Sequence, residues 1–147
     1  LARVFNSYDR ETTDFYRWTQ VYELRELSAL VREKSGVDIG ELTALEPLAK
    51  GASGRIFRLR VVGTKNSFIV GKELEIRRIL SPSHLRSSAF DAAFTSDGRV
   101  ILRGLGWGHG VGLCQIGAAV MADRGYGYRA ILEHYYPGTQ ISESLSK

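Results

Sequence analysis

Cysteine occurs once, at Cys114, so no disulfide can close within the chain and a zinc site of the paired CxxC type is excluded. No stretch approaches the roughly 18 consecutive apolar residues that a membrane span needs. The twenty Lys and Arg are interspersed with sixteen Asp and Glu, and no basic run resembles a nucleic-acid arm. Neither GxxxxGK nor HExxH occurs, which leaves a nucleotide phosphate loop and a helical zinc pair unsupported. His84, His109, Cys114 and His134 could ligate a metal, but their spacing matches no known ligand pattern, and no metal or cofactor is expected. There is no repeat, low-complexity tract or linker. No charged and then apolar leader opens the chain. Because it begins at Leu1 rather than Met, we read it as an excised or processed piece, for which a missing leader carries little information.

What remains is an ordinary globular composition. The 147 residues are 44% hydrophobic and 24% charged, with net charge +4, which suits one domain over 1–147. The mild basic excess would suit anionic polymers, but a soluble surface is the simpler reading. Residues Leu1 to Trp18 carry irregularly spaced aromatics and read as an extended, partly β lead-in. Thr19 is a plausible N-cap for a helix whose stripe is Val21, Leu24, Leu27, Leu30 and Val31, stopped by Gly36. From Arg55 to Val62 the pattern alternates, with Phe57, Leu59 and Val61 on one face of a strand. Gly63 to Asn66 turns into a second strand over Ser67 to Val70. Lys72 to Leu80 reads as a helix. Ala89 to Thr95 and Arg99 to Leu105 flank Ser96-Asp97-Gly98 as a hairpin. Helices are predicted over Leu113 to Arg124 and Tyr128 to Tyr135, with a last strand over Thr139 to Ile141. Hairpin signals outnumber βαβ patterns, so the fold class is α+β, a mainly antiparallel sheet with several packed helices.

The most informative segment places glycine at every second position, at 104, 106, 108, 110 and 112. In an extended ribbon all five fall on one bare face, against which another element or a ligand can lie closely. Leu105, Trp107, His109 and Val111 crowd the other face. Each glycine also adds to the entropy lost on ordering, about 0.5–1 kcal/mol relative to alanine in a regular element. The helix that follows opens with Cys114 and Gln115, where unpaired N–H groups favour ligand oxygens. The ribbon, the helix start, His109 and Gln115 together suggest a ligand cleft. A Cys114–His109 nucleophilic pair is disfavoured, since spacing alone supplies no positioned base, and Cys is often a small buried hydrophobe. The other reading of His109 is structural, holding the ribbon to the sheet. Trp107 reads as core before ligand platform, and Tyr135 and Tyr136 divide between core and cleft. Arg55 and Arg86 are expected to pair with local acids.

Gly106-Trp107-Gly108-His109-Gly110-Val111-Gly112-Leu113-Cys114-Gln115-Ile116-Gly117-Ala118 resembles the signature of the SpoIID/LytB family of bacterial cell-wall proteins. Gly125-Tyr126 and Ile131 to Thr139 are similar to that family's C-terminal end. Ser53-Gly54-Arg55 and Leu85-Arg86-Ser87-Ser88-Ala89-Phe90 are similar to weaker landmarks. The likeness runs from about Trp18 to Ile141 and marks the chain as the C-terminal portion of such a domain. It departs at Cys114, where the family usually carries Ser, and a thiol is the poorer hydrogen-bond partner.

The resemblance implies an extracytoplasmic protein (secreted, periplasmic or wall-associated) whose partner is the glycan of peptidoglycan. His109, Gln115, Trp107, Gly108, Gly110, Cys114 and Tyr135 are then the expected substrate-binding residues. Family members include lytic transglycosylases, in which one Glu acts as general acid and then base, and proteins described as amidase enhancers. That Glu belongs to an earlier family segment, and none of the ten glutamates here stands in a matching motif. Glu133 lies near the signature's end but in the wrong surroundings. Two expectations follow: part of an enzyme whose acid lies upstream, inactive as this chain alone, or a glycan-binding module that stimulates a wall amidase.

Overall fold

The computed structural model describes residues 16–142, and these form two compact units, one ending at Gly110 and the other beginning at Val111. The sequence reads as a single domain; each unit is taken here by itself.

The larger unit is α+β. Strand β1 (Arg17–Glu23) runs into helix α1 (Leu24–Ser35), followed by β2 (Leu42–Lys50), β3 (Ile56–Gly63) and β4 (Ser67–Gly71). Helix α2 (Glu73–Ile79) and the hairpin β5 (Phe90–Phe94) and β6 (Arg99–Leu105) complete it. The strands make two antiparallel three-stranded sheets, ordered β1-β6-β5 and β2-β3-β4. One core joins them. Trp18, Tyr22, Phe90, Val100 and Leu102 come from the first sheet, Leu42, Ile56, Leu59 and Val61 from the second, and Leu27, Val31, Ile76 and Ile79 from the helices. Ser28 ties a helix to a sheet, since its hydroxyl donates to the Leu24 carbonyl at 2.6 Å and accepts from the Leu42 amide at 2.9 Å.

Several expectations are met here. Gly36 closes α1 in the left-handed conformation (φ 73°) that a residue with a Cβ adopts only at a cost. The turn after β3 is closed by Gly63 N–H to the Asn66 carbonyl, and that between β5 and β6 by Thr95 N–H to the Arg99 carbonyl.

Others are corrected. Helix α1 begins at Leu24, not at Thr19, and Val21 belongs to a strand and faces outward. The strand-forming run Trp18 to Tyr22 pairs with β6 in continuous register, and Leu24 N–H bonds the Gly98 carbonyl at 2.8 Å, so the helix cannot start earlier. Strand β2 escapes a period-two reading because its register with β3 shifts at several points, placing the buried Leu42 and Leu45 three apart. The same irregularity turns Phe57 out. One step from Ala49 to Lys50 on β2 matches two steps from Arg58 to Ile56 on β3, which leaves Phe57 as the bulged residue, 45% exposed.

The smaller unit holds α3 (Gln115–Asp123) and α4 (Tyr128–Tyr135). Gly125 (φ 87°) and Tyr126 N–H to the Met121 carbonyl at 3.0 Å turn the chain between them. No strand follows. Thr139 directs both its amide and its hydroxyl to the Tyr136 carbonyl, which folds Thr139 to Ile141 back instead of into a ladder.

Candidate functional site

Strand β6 delivers the glycine run, but the run does not continue as a ribbon. Only Gly104 lies in the strand; Gly106, Gly108, Gly110 and Gly112 all have positive φ, from 68° to 90°. Each alternate residue is left-handed, so the expectation of an extended ribbon with one bare face is overturned beyond Leu105. Such a zigzag needs glycine at each of those positions, because a Cβ there meets the adjacent carbonyl.

The expectation of a close approach does hold, with specific partners. The Trp18 indole lies across Gly104, filling the space a Cβ would take. At Gly106 and Gly110 the occupying group is the Arg55 guanidinium. Arg55 Nε donates to the Gly108 carbonyl at 2.8 Å and Nη2 to the Trp107 carbonyl at 3.5 Å. The loop turns two carbonyl oxygens to the guanidinium, which suits its fixed fork of donors.

A second bracket comes from Leu85 to Ala89. The Arg86 carbonyl accepts from Gly108 N–H at 2.7 Å, and the Ala89 carbonyl from Leu105 N–H at 2.8 Å. The buried Ser87 hydroxyl donates to the Leu105 carbonyl at 2.6 Å. This bracket is itself anchored. Arg77 Nε donates to the Leu85 carbonyl at 2.6 Å while its Nη1 pairs with Glu73 at 3.3 Å, both side chains lying largely inside. Ser53-Gly54-Arg55 and Leu85 to Phe90, weak as sequence landmarks, are thus the segments that shape the glycine loop. Nothing in their local pattern announces it, since the contacts are to backbone atoms more than fifty residues away in the case of Arg55.

What the loop presents is exposed. Trp107 is 53% exposed, so the core placement expected for it is corrected, and the Arg86 guanidinium carbon sits 5.4 Å from its ring centroid. His109 is exposed as well. Gly108 and Gly110 lie between these side chains as backbone only.

In the smaller unit, Cys114 is the N-cap of α3, its sulfur accepting from Gly117 N–H at 3.5 Å. A thiol thus fills a cap position that a hydroxyl fills more strongly. Gln115 stands exposed at the first position of the helix. The Tyr136 hydroxyl accepts from Leu113 N–H at 3.1 Å and closes over Gly112. Tyr135, expected to touch substrate, is only 7% exposed and stacks edge-on with His134 at 4.8 Å, so it belongs to the packing. Tyr136 reaches the glycine run in its place.

The described glutamates are either paired with arginines or exposed. Glu46, Glu73 and Glu75 pair with Arg60, Arg77 and Arg78 respectively, and Glu23, Glu26, Glu33, Glu41 and Glu133 are exposed. Glu11 and Glu143 lie outside the described residues. Among the described residues no three His, Cys, Asp or Glu side chains gather where they could hold a metal, and no helix is long and apolar enough to cross a membrane.

Residues 1–112 match the family model described as a domain of unknown function, DUF8618. The stage II sporulation protein D of Bacillus subtilis (strain 168) is 29% identical over 98% of this chain and 38% of its own length. That of Bacillus amyloliquefaciens is 41% identical over 53% of this chain and 22% of its own. The amidase enhancer of Bacillus subtilis is 46% identical over 28% of the chain and 6% of its own length. The chain therefore spans 22% and 38% of the two sporulation relatives. On these matches the chain belongs to the DUF8618 family over residues 1–112, and to the SpoIID/LytB family with which its relatives align.

Proposed function

We propose that this chain is the glycan-binding portion of an extracytoplasmic cell-wall protein, and that in a longer parent it takes part in cutting peptidoglycan strands stripped of stem peptides. The observation that carries the reading is the exposed pair Trp107 and His109, presented on a loop whose backbone is held rigidly from beneath. A half-exposed indole with a guanidinium beside it suits the mixed apolar and polar face of an amino sugar, and fixed loop geometry lowers the ordering cost of binding. Cleavage would follow the family's chemistry: a Glu held neutral protonates the glycosidic oxygen, and a muramyl hydroxyl closes internally as the bond breaks. The acid would come from a segment preceding this one.

The test is binding first. The 147-residue chain should co-sediment with isolated glycan strands. Trp107→Ala and His109→Ala should each weaken this at least about tenfold while the chain stays folded, which circular dichroism checks. Retained binding in both variants would sink the reading. For cleavage, the parent protein should release anhydro-muramyl ends.

The alternative, a module that stimulates a cell-wall amidase, is supported by the engagement or exposure of every described glutamate. It predicts that glycan binding and amidase stimulation survive when the parent's acid is replaced, with no anhydro ends released.

A further inference from the structure

The Arg55 guanidinium meets the loop at four backbone positions between 106 and 110. It donates to the Gly108 and Trp107 carbonyls, and it occupies the space beside Gly106 and Gly110 that a Cβ would fill. Gly106, Gly108 and Gly110 all have positive φ, from 72° to 79° at the first two and 68° at the third. A glycine chain has no intrinsic preference for this conformation over its mirror. Something must select it. The Arg86 carbonyl fixes one face through Gly108 N–H, but Gly106 and Gly110 make close contact with the arginine.

We propose that Arg55 is a positioning residue: its guanidinium acts as an internal template that selects the ligand-ready shape of residues 106–110, and so sets the affinity of the site through the loop backbone. The proposal rests on the glycan reading of Trp107 and His109 for its ligand, although not for the loop order it describes. Lysine cannot substitute, since one ammonium lacks the planar fork that reaches two carbonyls while lying flat between two glycines. Gly110 is the complementary half. A Cβ at that position would overlap the guanidinium, so Gly110→Ala should loosen the loop in the presence of Arg55 more than in its absence.

The experiment uses the full chain carrying Trp18→Phe, which leaves Trp107 as the sole tryptophan. Arg55→Ala and Arg55→Lys are compared with the parent by melting temperature, by amide exchange over residues 106–110, and by Trp107 emission. Affinity for glycan strands stripped of stem peptides is then measured with and without millimolar guanidinium or ethylguanidinium. The expected result is at least about tenfold faster exchange in the loop and at least about tenfold weaker binding in both variants. Partial recovery of both by the added guanidinium in Arg55→Ala is also expected, and a purely structural loss would not show it. If Arg55→Ala does not fold, Arg55→Lys carries the comparison. Unchanged exchange and emission overturn the template, as does a loosened loop that binds glycan with parental affinity. A loosened loop, with no glycan binding even by the parent, supports the template and overturns the glycan reading instead.

Discussion

Replacing Ser87 with alanine removes one oxygen atom and should cost the larger unit about 2 kcal/mol. The hydroxyl is fully buried, donates to the Leu105 carbonyl at 2.6 Å and accepts from the Ala89 amide at 3.3 Å. The first bond is short and well formed, and the second is long. Losing a buried hydrogen bond while leaving its partner dry costs about 1–3 kcal/mol. The Leu105 carbonyl should supply most of that, and the Ala89 amide a fraction of a kcal/mol. No large void opens, so the cavity contribution is small. For a cooperative unit of about one hundred residues, 1 kcal/mol corresponds to about 4–8 °C, so the melting temperature should fall by about 8 °C or more. Because Leu105 immediately precedes Gly106, amide exchange should also rise at residues 105–108 beyond the global change. A variant that melts within about 1 °C of the parent would refute the claim that Ser87 braces the root of the loop, and with it the account of Leu85 to Ala89 as a bracket.

Two glycine substitutions separate space from conformation. Gly104→Ala forces a methyl into the Trp18 ring and should destabilise by about 1–3 kcal/mol, with a change in emission from buried Trp18. Gly36→Ala meets nothing within 4 Å, so only its positive φ opposes it, and urea unfolding should show a loss of about 1 kcal/mol. Tyr22 supplies an alkaline limit. Burial raises its phenol above the ordinary value of 10.0, partly offset by a hydrogen bond with Ser81 and reinforced by Glu26. The unfolded chain therefore ionises first. The stability due to the neutral phenol is complete below pH about 10 and declines as pH rises through the raised folded value. Tyr22→Phe should flatten that decline in a pH series of melting temperatures; an unaltered slope would place the alkaline sensitivity elsewhere.

How much of this was legible in the sequence depended on whether a contact leaves a local pattern. The hairpin at Ser96-Asp97-Gly98, the turn at Gly63 to Asn66 and helix α4 were readable because turn residues and apolar period are local signals. Strand β2 and the outward Phe57 were not, because bulges break the alternation that identifies a half-buried strand. The glycine block announced itself by composition, yet its shape was misread. Alternate glycines satisfy a ribbon with one bare face and a left-handed zigzag equally well, and only the position of Arg55 distinguishes the two. The division of Tyr135 and Tyr136 between packing and the glycine run was foreseeable from their adjacency on a helix, but which of the two turned inward was not.

The dependence between Arg55 and the glycines runs in both directions, and this decides which residues are left to make contacts. A half-buried guanidinium needs oxygens, and a loop of ordinary residues in helix or strand would spend its carbonyls on its own ladder. The left-handed glycines break that ladder, free the Trp107 and Gly108 carbonyls to turn toward Arg55, and leave room for it to lie flat. The glycines contribute only backbone to this arrangement, and the side chains at 107 and 109 stand exposed, with the Arg86 guanidinium beside the Trp107 ring. Scaffold and contact surface are therefore assigned to alternating residues of one short segment. Changes at 107 or 109 should act on the ligand, and changes at 106, 108 or 110 on the shape that presents it.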